Sequence, residues 1–213
     1  MAHEKLLFPD VKTIFGLLKE VMASNKDRLI EIDGIMGDGD LGLTMASAFS
    51  AAADEIPEEP DLGKVFTKAG MAMAKAAPST MGTLMGTGFM RGGKAVKEKT
   101  ELGLEEMARF WRAFVEGLEE RGKAKPGDKT IIDSLDPAAS ALEKAAVAGK
   151  SLNEGFADAL LAAEGGMENT RTMAAQFGRM AYNQEKSKTL IDPGSVVGHL
   201  LIKTFADYIK DTP

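Results

Sequence analysis

The chain has 213 residues, of which 44% are hydrophobic and 27% charged, a composition typical of a globular protein with room for one good-sized domain. Its net charge of −6 argues against nucleic acid as the main partner, and the absence of cysteine excludes disulfides and thiol chemistry. No apolar run is long enough to cross a bilayer and the first residues lack the apolar stretch of a secretion signal, so we expect a cytoplasmic protein without membrane attachment.

The predicted elements are helices from one end of the chain to the other. Apolar residues recur at helical spacing over residues 10–24. Turns rich in proline and glycine divide the rest, and no alternating β-branched run of strand length occurs. The sequence therefore predicts an all-α protein that forms a single domain over residues 1–213. The further predicted helices cover residues 43–55, 61–76, 80–98, 104–121, 130–148, 153–166, 168–177 and 195–210.

Three aspartates crowd the stretch DGIMGDGD, which precedes the helix predicted at 43–55. Asp33, Asp38 and Asp40 would repel one another at neutral pH unless a cation neutralised them, and oxygen-only ligands suit Mg²⁺ or Ca²⁺. A calcium-binding EF-hand loop is excluded, because Gly42 and the residues after it do not supply the remaining ligands. The stretch predicts a magnesium–nucleotide site, since a helix that starts after Asp40 can accept phosphate oxygens. The competing interpretation is that one aspartate merely caps the helix.

Three further stretches are candidates for ligand contacts. In PSTMGTLMGTGF, three glycines within a predicted helix indicate the close approach either of another helix or of a nucleotide. In FGRMAY, Arg179 could pair with phosphate, although a surface salt bridge is the commoner role of a lone arginine. The basic stretch RGKAKPGDK is expected to be a solvated loop.

Catalysis by a protein nucleophile is not indicated. The chain offers no serine–histidine–aspartate set, and we expect no buried carboxylate pair that could act as acid and base. Zinc is not expected either, because the sequence contains only two histidines and no cysteine. No catalytic residue is therefore assigned.

The stretches IDGIMGDGDLGLTM, PSTMGTLMGTGF, RGKAKPGDKTIID and FGRMAY with IDPG resemble the nucleotide-binding L subunit of dihydroxyacetone kinases, over nearly the whole chain. The resemblance implies a closed barrel of about eight antiparallel helices with a nucleotide at one end, and two Mg²⁺ ions held by Asp33, Asp38 and Asp40. The chain departs from the family at Leu41, where histidine is common, and at PSTMG, where Gly-Gly-Ala-Ser-Gly is usual. The implied nucleotide-binding residues are Leu41, Gly42, Leu43, Thr44, Thr80, Met81, Gly82, Gly122, Ile131, Arg179, Asp192, Pro193 and Gly194.

The resemblance also implies a reaction. The chain would hold Mg²⁺ with ADP or ATP and pass a phosphoryl group to a small ketose on a separate K subunit, with metal and positioning in place of a catalytic side chain. ADP could stay bound and be recharged by an M-type phosphocarrier of the sugar phosphotransferase system, or ATP could exchange freely. The chain could instead be a kinase subunit for a related ketose such as erythrulose, a non-enzymatic coregulator of this fold, or a relative of fatty-acid kinases. A homodimer or hetero-oligomer is expected.

Overall fold

Helices form nearly all of the regular structure. The computed structural model describes residues 4–211, and within them the only β-type pairing is an isolated bridge between Leu6 and Leu102. Two short 3₁₀ helices cover Thr170–Thr172 and Arg179–Asn183. The α-helices are α1 (Phe8–Ser24), α2 (Lys26–Gly34), α3 (Leu41–Asp54), α4 (Leu62–Ala76), α5 (Thr80–Ala95), α6 (Leu104–Gly122), α7 (Ile132–Val147), α8 (Leu152–Asn169), α9 (Gln184–Ser187) and α10 (Pro193–Asp211).

Eight of these helices form a closed ring. From α3 to α8 each helix packs against the next along the chain, α1 packs on α3, and α10 packs on both α8 and α1, which closes the ring. The short α2 packs mainly on α3. Within residues 4–211, none of the helices combines the length and the apolar character needed to span a bilayer. The ring confirms the predicted all-α class and the closed barrel of about eight helices.

Aromatic side chains fill the centre of the ring. Phe89, on α5, is fully buried and has ring neighbours on four other helices. Its centroid lies 5.1 Å from that of Phe114 and 5.4 Å from that of Phe15, and it also contacts Phe49 and Phe66. Aromatic pairs at these separations add to the stabilisation that burial alone provides. The barrel interior is therefore a packed core, and the functional site has to be sought at its end.

The glycines of α5 allow close packing within the protein. A Cβ on Gly86 would lie 2.6 Å from the carbonyl oxygen of Gly70 on α4, and one on Gly88 would lie 2.6 Å from the ring of Phe114. A Cβ on Gly82 would lie 2.1 Å from the carbonyl oxygen of Ala77, the residue directly after α4. Of the two interpretations left open for these glycines, contact with other parts of the protein explains all three.

The helix predicted at 168–177 is wrong. The preceding helix α8 runs on to Asn169, and after one 3₁₀ turn the chain leaves helical geometry at Met173. Two glycines near the end of α8 do not mark its end. Gly166 is explained by packing instead, since a Cβ there would be 2.0 Å from the Asp133 carbonyl oxygen on α7. The stretch that follows has good helix formers, and tertiary contacts described below override that propensity.

Helix α2 was not predicted. Among its nine residues only Leu29 is buried, so the stretch lacks the apolar periodicity on which the sequence-based prediction rests. Its position matters for the site, because Asp33, the first of the three clustered aspartates, lies in its last turn.

Candidate functional site

The three aspartates lie together in the turn that joins α2 to α3, here called the aspartate turn. Asp33 is in the last turn of α2 and Asp40 directly precedes α3. One carboxylate oxygen from each of these residues and from Asp38 lies within 4.8 Å of the others. Gly39 has a φ of +71°, and a Cβ on Gly37 would be 2.3 Å from Asp33 Oδ1. Both glycines are therefore required for the turn to bring the carboxylates together.

The electrostatics of the aspartate turn favour a cation. Burial, followed by the charges of Asp38 and Asp33, raises the pKa of Asp40. Arg179 Nη2 lies 2.7 Å from Asp38 Oδ2 and offsets part of the negative charge. Asp40 stands at the N-cap position of α3, but its side chain makes no capping hydrogen bond. Asp33 Oδ2 accepts a long hydrogen bond of 3.4 Å from the N–H of Leu41, so capping accounts for one aspartate and leaves Asp38 and Asp40 unexplained. A set of carboxylate oxygens at this spacing fits a hard divalent cation such as Mg²⁺.

A cavity of about 550 Å³ opens beside the aspartate turn. Its walls are the aspartate turn, the starts of α5 and α10, the end of α6, and the loop from α6 to α7. The remaining wall belongs to residues 173–191, here called the strap, which leads to α10. This volume lies within the range of small-molecule sites in proteins.

Four helices begin at the cavity wall. Leu41, Thr80, Ile132 and Pro193 are the first residues of α3, α5, α7 and α10, and all four line the cavity. A helix start carries a partial positive charge, so the convergence of four helix starts favours an anionic ligand. Pro193 has no N–H, and the side chains of Asp33, Ser79 and Asp192 already accept hydrogen bonds from first-turn N–H groups of α3, α5 and α10. The wall on the α5 and α6 side is apolar and suits a flat, uncharged group; it includes Met81, Leu84, Leu118, Ala124 and Ile131.

Most of the residues singled out in the sequence lie in this wall. They are Asp33, Asp38 and Asp40 together with Leu41, Thr80, Met81, Gly122, Ile131, Arg179, Asp192, Pro193 and Gly194. Gly42, Leu43, Thr44 and Gly82 do not line the cavity. Gly42 instead packs against α2, where a Cβ would be 2.1 Å from the Lys26 carbonyl oxygen, and Leu43 is 57% exposed.

Several lining residues had no assignment from the sequence. Some directly neighbour assigned residues, so the quoted stretches could have indicated them. Leu84, although it lies within the quoted PSTMGTLMGTGF, and Leu118 gave no signal of their own, because an apolar side chain on a helix face is predicted to be a core residue wherever it lies. The lining residues without an assignment are Gly37, Ser79, Leu84, Leu118, Ala124, Lys129, Thr130, Ile132, Phe177, Gly178 and Met180.

The basic stretch RGKAKPGDK is not simply a solvated loop, because its last lysine is buried. Lys129 is 1% exposed, and its Nζ donates hydrogen bonds to the carbonyl oxygens of Thr170 and Leu190, both at 2.5 Å. Burial lowers the pKa of this ammonium group. Composition alone could not show this, since buried lysines are rare and have no sequence pattern of their own.

Two carboxylates are buried beside the cavity, contrary to expectation. Asp133 accepts hydrogen bonds of 2.6 Å from the backbone N–H groups of Gly127 and Thr130. Asp192 accepts one of 2.6 Å from the N–H of Ser195, and burial raises its pKa to about 7. Both carboxylates bind backbone N–H groups, so their contacts orient the loop before α7 and the start of α10.

Comparison with known proteins shows the family. Residues 35–207 match the family model described as DAK2 domain. The chain is 32% identical over 194 residues to the "PEP-dependent dihydroxyacetone kinase, ADP-binding subunit DhaL" of Escherichia coli K12, covering 90% of this chain and 92% of that protein. It is 35% identical over 184 residues to the ADP-binding subunit DhaL of PEP-dependent dihydroxyacetone kinase 1 of Listeria innocua, covering 85% and 87%.

A solved structure shares the fold. The dihydroxyacetone kinase from C. freundii in complex with AMP-PNP and Mg²⁺ superposes with a TM-score of 0.69 at 24% identity, covering 92% of this chain and 33% of that one. At this identity the likeness concerns the fold. The family model spans most of the chain, and two relatives above 30% identity are covered almost end to end. The chain therefore belongs to the DAK2 domain family.

Proposed function

We propose that this chain is the nucleotide-binding subunit of a dihydroxyacetone-type kinase. It holds ADP or ATP with Mg²⁺ and passes a phosphoryl group to a small ketose bound on a separate K subunit. The observation that supports this most strongly is the convergence of three carboxylates and four helix starts on one cavity of about 550 Å³. The relatives named as ADP-binding subunits agree with it.

The division of labour follows from the chemistry of each wall. Asp33, Asp38 and Asp40 would hold two Mg²⁺ ions, which when bound neutralise phosphate charge and align the transferred group. The positive N-terminal ends of α3, α5 and α10 would attract the phosphate oxygens. The apolar wall between Met81 and Ile131 would exclude water around the purine base of the nucleotide. Phosphoryl transfer needs positioning and charge neutralisation more than a protein nucleophile, so no catalytic side chain is assigned.

The phosphoryl donor and partners form a second part of the proposal. Both relatives compared above are named PEP-dependent and ADP-binding, which favours an ADP that stays bound and is recharged in place. The donor would be an M-type phosphocarrier of the phosphotransferase system, and the acceptor the ketose on the K subunit. We place this assembly, a hetero-oligomer, in the cytoplasm, where its phosphorylated partners would be found.

Native mass spectrometry of the purified chain, before and after prolonged dialysis with Mg²⁺, tests the proposal. We expect the mass of ADP plus two Mg²⁺ to survive dialysis, because several helix starts and the three carboxylates with their Mg²⁺ would hold the phosphates at once. A chain that arrives empty but takes up Mg·ATP would support an exchanging kinase in place of the recharged one. A chain that ignores both nucleotides would contradict the proposed function.

Replacement of Arg179 by alanine should weaken Mg·ADP binding about tenfold, because a charge-assisted contact to phosphate would be lost. The Arg179 side chain is 64% exposed, so the free energy of unfolding should change by less than about 1 kcal/mol. Calorimetric titration and thermal unfolding measure the two effects. The matched control is Arg109→Ala, which removes an exposed ion pair with Glu106 outside the cavity wall. Equal nucleotide affinity in both variants would remove Arg179 from the site.

A further inference from the structure

The side chain of Lys129 lies where the two ends of the strap meet. Its buried Nζ contacts the carbonyl oxygens of Thr170, just before the strap, and Leu190, near its end. One ammonium group thus joins the segment that enters the strap to the segment that leaves it. The strap itself contains only short helices, so its path depends on contacts at these ends.

The loop that presents Lys129 is held rigidly. The two oxygens of the buried Asp133 carboxylate accept hydrogen bonds from the N–H groups of Gly127 and Thr130, one on each side of the lysine. Lys129 itself has a φ of +61°, a conformation that a side-chained residue keeps only where its surroundings determine it. The backbone that presents the lysine side chain is therefore held by α7 and its preceding loop.

The residues at and just beyond the two ends of the strap are also joined directly to each other. The N–H of Thr189 donates to the Arg171 carbonyl at 2.8 Å, and the N–H of Asp192 donates to Thr170 Oγ1 at 3.0 Å. Thr189 has a φ of +77°, a backbone conformation that is rare for a β-branched residue. Near its end, at Thr189, the strap thus adopts a strained backbone conformation that these hydrogen bonds maintain.

The anchored strap carries part of the cavity wall. Phe177, Gly178, Arg179 and Met180 line the cavity. Beside them, the N–H of Gln176 donates a hydrogen bond of 3.1 Å to the carbonyl oxygen of Asp128, the neighbour of Lys129. Because Arg179 contacts Asp38, a shift of the strap where Lys129 holds it would be transmitted to the aspartate turn.

Packing alone does not explain a charge at this position. Burying an ammonium group is costly, and an apolar side chain of the same length would fill the space without that cost. What the lysine adds is a pair of charge-assisted hydrogen bonds of 2.5 Å to two separate segments. The group is therefore suited to fixing the relative position of those segments.

We propose that Lys129 is a positioning residue of the nucleotide site: by joining both ends of the strap to the loop before α7, it holds Arg179 over the cavity and slows nucleotide release. The proposal rests on the proposed function, since it assumes that the cavity takes a nucleotide. Lys129 acts through the strap and is not assigned any contact with the nucleotide.

The test measures how fast a fluorescent nucleotide, N-methylanthraniloyl-ADP bound together with Mg²⁺, dissociates from the full chain after excess unlabelled ADP is added. Lys129→Met keeps the length of the side chain and removes its donors, and we expect release to become about tenfold faster or more. Hydrogen–deuterium exchange of the nucleotide-free chain should accelerate in peptides from the strap and stay unchanged in α4 and α5. The matched control is Lys188→Met, an exposed lysine of the strap that pairs with Glu185.

A double-mutant cycle separates positioning from a general loss of stability. If Lys129 acts through Arg179, Lys129→Met should add little to the release rate of an Arg179→Ala chain. Equal acceleration in both backgrounds would overturn the proposal. Lys129→Gln, which keeps N–H donors, should give an intermediate rate and serves as the test if the methionine variant does not fold.

The outcomes distinguish the two proposals. A wild-type chain that binds no Mg·ADP would overturn the proposed function together with this inference. Normal binding by the wild type, with release from Lys129→Met as slow as from Lys188→Met, would overturn this inference alone. The inference would be established if nucleotide release from Lys129→Met is faster, if the acceleration of hydrogen–deuterium exchange is confined to the strap, and if the effect on release depends on Arg179.

Discussion

Replacement of Asp40 by asparagine is expected to reduce the affinity for Mg·ADP at least a hundredfold. The substitution keeps the size of the side chain but removes one of three carboxylates whose oxygens lie within 4.8 Å of each other. Residues that merely support metal ligands cost about 10–100-fold when replaced, and loss of a ligating charge should cost more. Calorimetric titration with Mg·ADP measures the effect.

The same variant should unfold at a higher temperature than the wild type when Mg²⁺ is absent. The pKa of Asp40 is raised by burial and by two neighbouring carboxylates, so its charge opposes folding at pH values above the folded-state pKa. Removing that charge helps the metal-free fold while it damages binding, so the two effects have opposite signs. Asp158→Asn, which breaks an exposed pair with Lys150, is the control and should not raise the melting temperature. Undiminished Mg·ADP affinity in the Asp40 variant would contradict the metal assignment.

Replacement of Phe89 by alanine should lower the free energy of unfolding by about 3–5 kcal/mol. The ring is fully buried at the centre of the barrel and contacts aromatic rings from four other helices, so its removal leaves a cavity that rigid neighbours cannot fill. For a chain of this length the melting temperature should fall by on the order of 10 °C. Denaturant unfolding followed by circular dichroism measures the change.

Two variants bracket this expectation. Phe89→Leu keeps most of the buried volume and should lose much less stability. Phe177→Ala removes a ring in the cavity wall that is 38% exposed, and the unfolding free energy of this variant should be close to that of the wild type. If Phe89→Ala were as stable as Phe177→Ala, the description of the barrel interior as a packed aromatic core would be wrong.

The sequence was most informative where chemistry is local. Asp33, Asp38 and Asp40 lie within eight positions, and the glycines between them limit the turn to conformations that gather the carboxylates. The all-α class followed from helical periodicity, and the ring closure came with the family resemblance. These features depend on short-range spacing, which a single sequence records directly.

The sequence was least informative where distant segments determine the structure. The stretch at 168–177 has helix-forming residues, yet Thr170 is bound by Lys129, 41 positions away, and the chain leaves the helix there. Lys129 looked like one more solvated charge in a basic loop, because nothing local shows that two carbonyl oxygens surround it. Leu84 and Leu118 could not be told from core residues, since only the assembled barrel decides which apolar face meets the cavity.

The closure of the ring has a consequence for how the barrel forms. Most neighbouring pairs of ring helices follow one another along the chain, but α1 and α10, which pack together, lie at opposite ends of the sequence. Between them, Tyr208 Oη donates a hydrogen bond of 2.6 Å to Asp10, a residue 198 positions away. Contacts so far apart in sequence carry the largest loop-closure entropy and slow folding. We expect the helical hairpins to assemble first and this seam to join last, so that the barrel opens along a single edge when it begins to unfold.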